Sequence, residues 1–189
     1  MSRKFDPIDL SRVKTHHLVD RKSKVAMEEF AKPWQKGASY RTFLANLPDI
    51  LAGGQLKNVI SAIVRAYHNN HTILFGMGAH VIKVGLNPIV IDLMERRIIT
   101  GVAMNGAGII HDVELAMVGR TSEDVDATLD DGSFGMARET CTFLNEAITS
   151  TRKTSTGLGE AVGRSILEKR LPLMKQSILA TGARLGIPV

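Results

Sequence analysis

The sequence predicts a three-layer α/β domain built on a mainly parallel sheet. Three observations lead there. Short β-branched runs alternate with amphipathic stretches, both runs end in glycine turns, and aromatic residues make up only 5% of the 189 residues. Strands buried under helices on both faces read as continuous aliphatic runs, and strand–helix alternation is the signature of such sheets. Apolar residues amount to 44% and charged residues to 23%, a balance that fills a core and excludes general disorder. Seventeen glycines and six prolines without a repeat exclude a collagen-like chain.

A basic arm, residues 1–37, precedes the α/β domain of residues 38–189. The net charge is +5, and the arm holds nine Lys/Arg against five acids, so +4 of the total lies in it. Arms of this kind are solvated or dock on a partner subunit. The nearly neutral remainder argues against nucleic acid. One cysteine, Cys141, excludes an internal disulfide and a multi-cysteine zinc site. No apolar run reaches the ~18 residues of a membrane span, and the N-terminus lacks the apolar segment of a signal peptide. A cytoplasmic protein without membrane contact is the expectation.

The first helix is expected over residues 55–69, where Leu56, Val59, Ile60, Ile63, Val64 and Tyr67 recur at helical spacing. Gly53-Gly54 punctuates its start and Asn69-Asn70 its end. His71-Thr72-Ile73-Leu74-Phe75 then reads as a strand covered on both faces, closed by the turn Gly76-Met77-Gly78-Ala79. Asn87 as cap and Pro88 as first helical residue open the next helix, which ends in Glu95-Arg96-Arg97. A second strand is expected over 98–104, a loop at Asn105-Gly106-Ala107-Gly108, and a helix over 109–118 closed by Gly119.

Residues 120–135 form an acidic loop with Glu123, Asp124, Asp126, Asp130 and Asp131. Helices follow over 136–149, with Ala137, Cys141, Leu144 and Ile148 as the buried stripe, then over 161–169 and 172–185. Cys141 on that stripe is expected to be a buried, inert thiol. Ile187-Pro188-Val189 falls where an alternating fold would begin another strand, as though the domain were incomplete at its C-terminus.

The two glycine turns carry the chemistry. They follow adjacent strands at the carboxyl edge of the sheet, where α/β folds bind ligands, and bare backbone there admits phosphate or ribose. Neither turn completes the dinucleotide fingerprint: Val81 and His111 stand where the third glycine would fall. Beyond Gly108, Asp112 is placed to meet a ribose diol and His111 to exchange protons near neutral pH, while Glu114 points elsewhere. His80 follows the first turn and is within reach of a ligand. His68 and His71 flank a helix–strand junction and are expected to be exposed. No Gly-Lys-Ser/Thr phosphate loop and no nucleophile elbow occurs, so phosphoryl transfer and serine hydrolysis lose their usual support.

The run from Thr72 through Gly76-Met77-Gly78-Ala79-His80 to Leu86, then Ile91-Asp92-Leu93-Met94 and Ala107-Gly108 with His111-Asp112, resembles deoxyhypusine synthase. The resemblance extends loosely from Gly37 to the C-terminus. It implies a Rossmann-like fold, a homotetramer, and NAD as acceptor of hydride from an amine or polyamine, with transfer through an imine to a protein lysine. It implies cofactor contacts at Gly78, Ala79, His80, Ala107, Gly108 and Asp112, and a substrate contact or proton transfer at His111. The chain departs from the family's pattern at Gly78, Ala79, His80, Lys83 and Val84, which replace hydroxyl and amide groups. His111 also replaces the first of two acids. The family's nucleophilic lysine belongs to a later segment than these residues reach.

Residues 105–114 also resemble ornithine cyclodeaminases related to lysine-ketoglutarate reductase/saccharopine dehydrogenase, which implies a different NAD enzyme. A non-catalytic nucleotide-binding or scaffold protein is the third reading. No metal site is expected.

Overall fold

The computed structural model describes residues 8–128, 132–154 and 156–189. Arg3, Lys4 and Asp6 of the arm, and Asp130 and Asp131 of the acidic loop, lie outside the described residues. The chain divides into two compact units, Met1–Ser61 and Ala62–Val189.

In the first unit, residues 8–28 are exposed and include two single 3-10 turns, Leu18–Asp20 and Met27–Glu29. From Glu29 the predicted arm is tied down: Glu29 O accepts from Asp49 N–H, and Lys32 N–H donates to Asn46 O. Helix α1 (Tyr40–Asn46) starts on Ser39, whose hydroxyl accepts from Thr42 N–H at 3.2 Å. Lys57 then clamps the link to the next helix, donating to Leu47 O at 2.6 Å and pairing with Asp49 at 2.7 Å.

That next helix, α2, runs Leu51–His68, so Gly53-Gly54 lie inside it rather than at its start. Asn70 ends it in a left-handed conformation (φ 53°), while His71 N–H donates back to Ala66 O. The apolar stripe predicted for this helix is present but not covered: Leu56, Val59, Ile63, Val64 and Tyr67 are exposed.

The second unit is mixed α/β. Strand β1 (Leu74–Met77) and strand β2 (Gly101–Met104) pair in parallel, with Leu74 opposite Gly101 and Met77 opposite Met104. The crossover between them carries α3 (His80–Lys83) and α4 (Asn87–Glu95). Both strands begin three residues later than expected, for one reason. Preceding residues are used to close helices: His71 caps α2, and Ile98 and Ile99 N–H both donate to Leu93 O after Arg97 turns left-handed (φ 58°). Burial on both faces is also corrected for β1, because Leu74 is 66% exposed. At the other edge, Val102 N–H, which faces away from β1, donates to Pro188 O at 2.9 Å. The C-terminal tripeptide therefore lies along β2, where a further strand was expected.

Helix α5 (Gly106–Val118) follows β2 directly and stops at Gly119, left-handed at φ 70°. The acidic loop contains one short helix, α6 (Val125–Thr128). Then come α7 (Arg138–Thr154), α8 (Leu158–Glu168) and α9 (Ile178–Leu185). The single helix expected over 172–185 is broken at Ser177, whose extended backbone frees its hydroxyl to accept from Ala180 N–H at the start of α9.

Two apolar clusters meet at α9. Ile178 joins Ile82, Val90, Ile91, Met94, Ile99, Val102 and Ile187. Leu179 and Ala180 join Val113, Ala116, Phe143, Ala147, Val162 and Ile166. Helices α8 and α9 approach so closely that a Cβ on Gly163 would lie 2.2 Å from Leu179 O. Among the described residues, no helix is long and apolar enough to cross a membrane.

Candidate functional site at the carboxyl edge and the outer face of α5

Parallel pairing in register sets the two chain exits side by side. Gly78, Ala79 and His80 leave β1 next to Asn105, Gly106 and Ala107 leaving β2. The second glycine loop is corrected: Asn105 is the cap of α5, its Oδ1 accepting from Gly108 N–H at 3.1 Å, and Gly106 to Gly108 are the first helical turn. Gly78, His80 and Ala107 are exposed, Ala79 is half-buried and Gly108 is buried.

The glycines divide into two kinds. A Cβ on Gly108 would meet Met104 Sδ at 2.8 Å, so this position is small because the helix packs on its own strand. A Cβ on Gly76, Gly78 or Gly106 would meet nothing within 4 Å, and none of the three is left-handed. Neither packing nor backbone strain inside the chain requires glycine there. What these three supply is uncovered backbone at the carboxyl edge.

Asp112 is not at that edge, which corrects its expected position. It is fully buried (0% exposed). Its Oδ1 accepts from Ile178 N–H (2.9 Å) and Asn87 Nδ2 (3.1 Å), and its Oδ2 from Ser177 Oγ (2.6 Å) and Leu179 N–H (3.0 Å). The carboxylate thus caps the first turn of α9 across 65 residues of sequence. Burial pushes its pKa above the usual 3.8, against the pull of these four hydrogen bonds. Asn87 is corrected as well. Its side chain does not cap α4 but is buried, bridging Asp112 and Gln176 O (2.9 Å).

The outer face of α5 carries the reactive groups. Ala107, Ile110, His111 and Glu114 share it by helical spacing, continuing from the glycine edge. Thr121 donates to Glu114 Oε2 at 2.5 Å, and His111 Nδ1 lies 2.6 Å from the same hydroxyl oxygen. With its hydrogen given to Glu114, the Thr121 hydroxyl accepts from His111, so Nδ1 carries the ring proton and Nε2 is the acceptor nitrogen. Thr140 adds a hydroxyl 3.3 Å from Glu114 Oε1. His111 and Glu114 side chains each keep 18% exposure.

This relay forms one wall of an open cavity of about 410 Å³, whose apolar sides include Ile110, Phe134, Leu144 and Ile148. Glu114 and Glu123 line it, and among the described residues no Lys or Arg does. Cys141 also lines it and is exposed, correcting the expected buried thiol. Helix α7 is rotated relative to the sequence reading: Thr140, Phe143 and Ala147 face the core, and the stripe Ala137, Cys141, Leu144 and Ile148 faces the cavity. Thr121 and Thr140 were missed because threonines in a loop and a helix carry no spacing signal. The His111–Glu114 pair, three residues apart on one helix, did carry one.

Among the described residues, no group of three or more His, Cys, Asp or Glu could hold a metal ion. Neither a protein-family model nor a curated protein matches this chain.

Proposed function

We propose that the chain is an NAD-binding deoxyhypusine-synthase-like protein with a three-layer Rossmann-like fold, acting on an amine or polyamine substrate. The observation that carries this reading is the trio Gly76, Gly78 and Gly106, open to solvent beside a parallel strand pair and required by nothing inside the chain. A pyrophosphate needs such bare backbone. Gly78, Ala79, His80 and Ala107 would hold the cofactor, and Gly108 would bring α5 close to its strand. Asp112 has no part in it, since both carboxylate oxygens are engaged by α9, Ser177 and Asn87.

NAD, when bound, supplies a hydride acceptor. The residues of the chain do the rest. Glu114, in a cavity lined by two acids and, among the described residues, by no Lys or Arg, would bind an ammonium group by charge. Nε2 of His111 would take up a proton from the substrate, with the imidazolium stabilised through Thr121 by the Glu114 carboxylate. The apolar sides would take the carbon chain.

Calorimetric titration with NAD and ATP tests the reading. NAD should bind in preference to ATP, and Gly78→Val should weaken NAD at least tenfold without lowering the melting temperature, because its side chain enters open space. Tight ATP binding without a response to NAD would overturn it.

The same reading includes a homo-oligomer, a tetramer by the resemblance. It is supported by the exposed stripe of α2 and the exposed Leu74 on β1. Light scattering over a range of concentrations should show it, and a monomer throughout would count against it.

A further inference from the structure

At the opposite end of the strands, an open cavity of about 530 Å³ is lined by Tyr67, His68, Asn70, His71, Arg97 and Thr100. We infer that it is a second ligand site, for a small phosphate-bearing molecule, separate from the carboxyl edge and independent of the function proposed there.

Three groups able to carry positive charge line this cavity, from the end of α2 and the turn before β2, and among the described residues no carboxylate lines it. Most of their donors are uncommitted among the described residues. Arg97 spends one terminal nitrogen on Leu185 O at 2.9 Å, which orients the guanidinium and leaves its other N–H groups without a protein acceptor among the described residues. The rings of His68 and His71 make no hydrogen bond there either; His68 is steadied only by an edge contact with Tyr67.

The cavity is built on unusual backbone. Asn70 (φ 53°) and Arg97 (φ 58°) are both left-handed, a conformation that asparagine tolerates and arginine seldom adopts. These two turns bring the histidine pair and Arg97 to the lining of one space. Planar guanidinium N–H groups match phosphate oxygens in pairs, and the volume suits a ligand of metabolite size. A nucleic-acid strand is the weaker occupant. Residues 62–189 hold thirteen Lys/Arg against thirteen Asp/Glu, so this unit has no net charge to attract a polyanion over distance.

The test uses the full chain, with inorganic phosphate and ribose 5-phosphate as probes, followed by calorimetry and by the imidazole proton resonances of His68 and His71. Both probes should move both resonances, ribose 5-phosphate should bind more tightly, and Arg97→Gln should weaken binding at least tenfold. The double variant His68→Gln/His71→Gln guards against a backbone effect at position 97 and should weaken binding likewise, with an unchanged melting temperature. Unmoved resonances, or equal affinity in all three proteins, would overturn the inference. So would a single-stranded oligonucleotide that binds through Arg97 while ribose 5-phosphate does not.

Discussion

Asp112 and Glu114 stand two residues apart on α5 and do opposite work. Two helical positions span about 200°, so one carboxylate enters the core and the other reaches the surface cavity. Asp112 is buried completely and met by four donors. Glu114 keeps 18% exposure and is met by the hydroxyls of Thr121 and Thr140. A carboxylate enclosed by donors from another helix is a structural tie. One held by hydroxyls beside a histidine on a cavity wall stays in contact with solvent. The sequence reading took the first acid after the glycine turn as the ligand-facing one, and the burial of Asp112 corrects its place.

The comparison is broken most directly at Asp112. Asp112→Asn puts an NH₂ group where one of two oxygens now accepts two hydrogen bonds, setting donor against donors in the core. Stability should fall by about 3 kcal/mol, measured by urea unfolding, with NAD affinity of the folded fraction unchanged. Glu114→Gln should behave in the opposite way. Unfolding stability should change by less than about 1 kcal/mol, while affinity for 1,4-diaminobutane drops about tenfold in calorimetry.

A pH series sharpens the contrast. Burial raises the Asp112 pKa above 3.8, so above pH 3.8 the folded chain still holds a proton that the unfolded chain has released. Its contribution to stability therefore falls as pH rises from 3.8 through the raised value, and is level beyond it. Urea melts across that window should show this component in wild type and not in Asp112→Asn. The smallest effect is expected at Cys141, exposed on the cavity wall: Cys141→Ser should shift stability by no more than about 0.5 kcal/mol.

Much of the order of elements was legible. Helical spacing found α2, Pro88 marked the start of α4, and Gly119 marked the end of α5. What sequence could not show was how helix ends draw on their neighbours. Ile98 and Ile99 have strand-forming side chains, yet their N–H groups close α4; His71 does the same for α2. Facing was equally hidden. On α7 the most apolar stripe, Ala137 to Ile148, turned out to line the cavity, while Phe143 and Ala147 fill the core. Periodicity reports that a helix has an apolar side, not what covers that side. On the outer face of α5, the sequence placed His111 just after the turn, and the structure puts it on the cavity wall. Thr121 became its partner only through the path of the loop that follows α5.

The cap that Asp112 provides for α9 also bears on the order in which the chain folds. A helix of eight residues does not persist alone in water, since its first turn costs more than it returns. The hydrogen-bond acceptor that relieves the N–H groups of Ile178 and Leu179 lies 66 and 67 residues earlier in sequence. Closing so long a loop is slow compared with forming a local helix. Helix α9 is therefore expected to form after α5, with the two apolar clusters that share it completed in the same step. In hydrogen exchange, the amides of Ile178 and Leu179 should open together with the core of α5, although α9 is short and near the end of the chain.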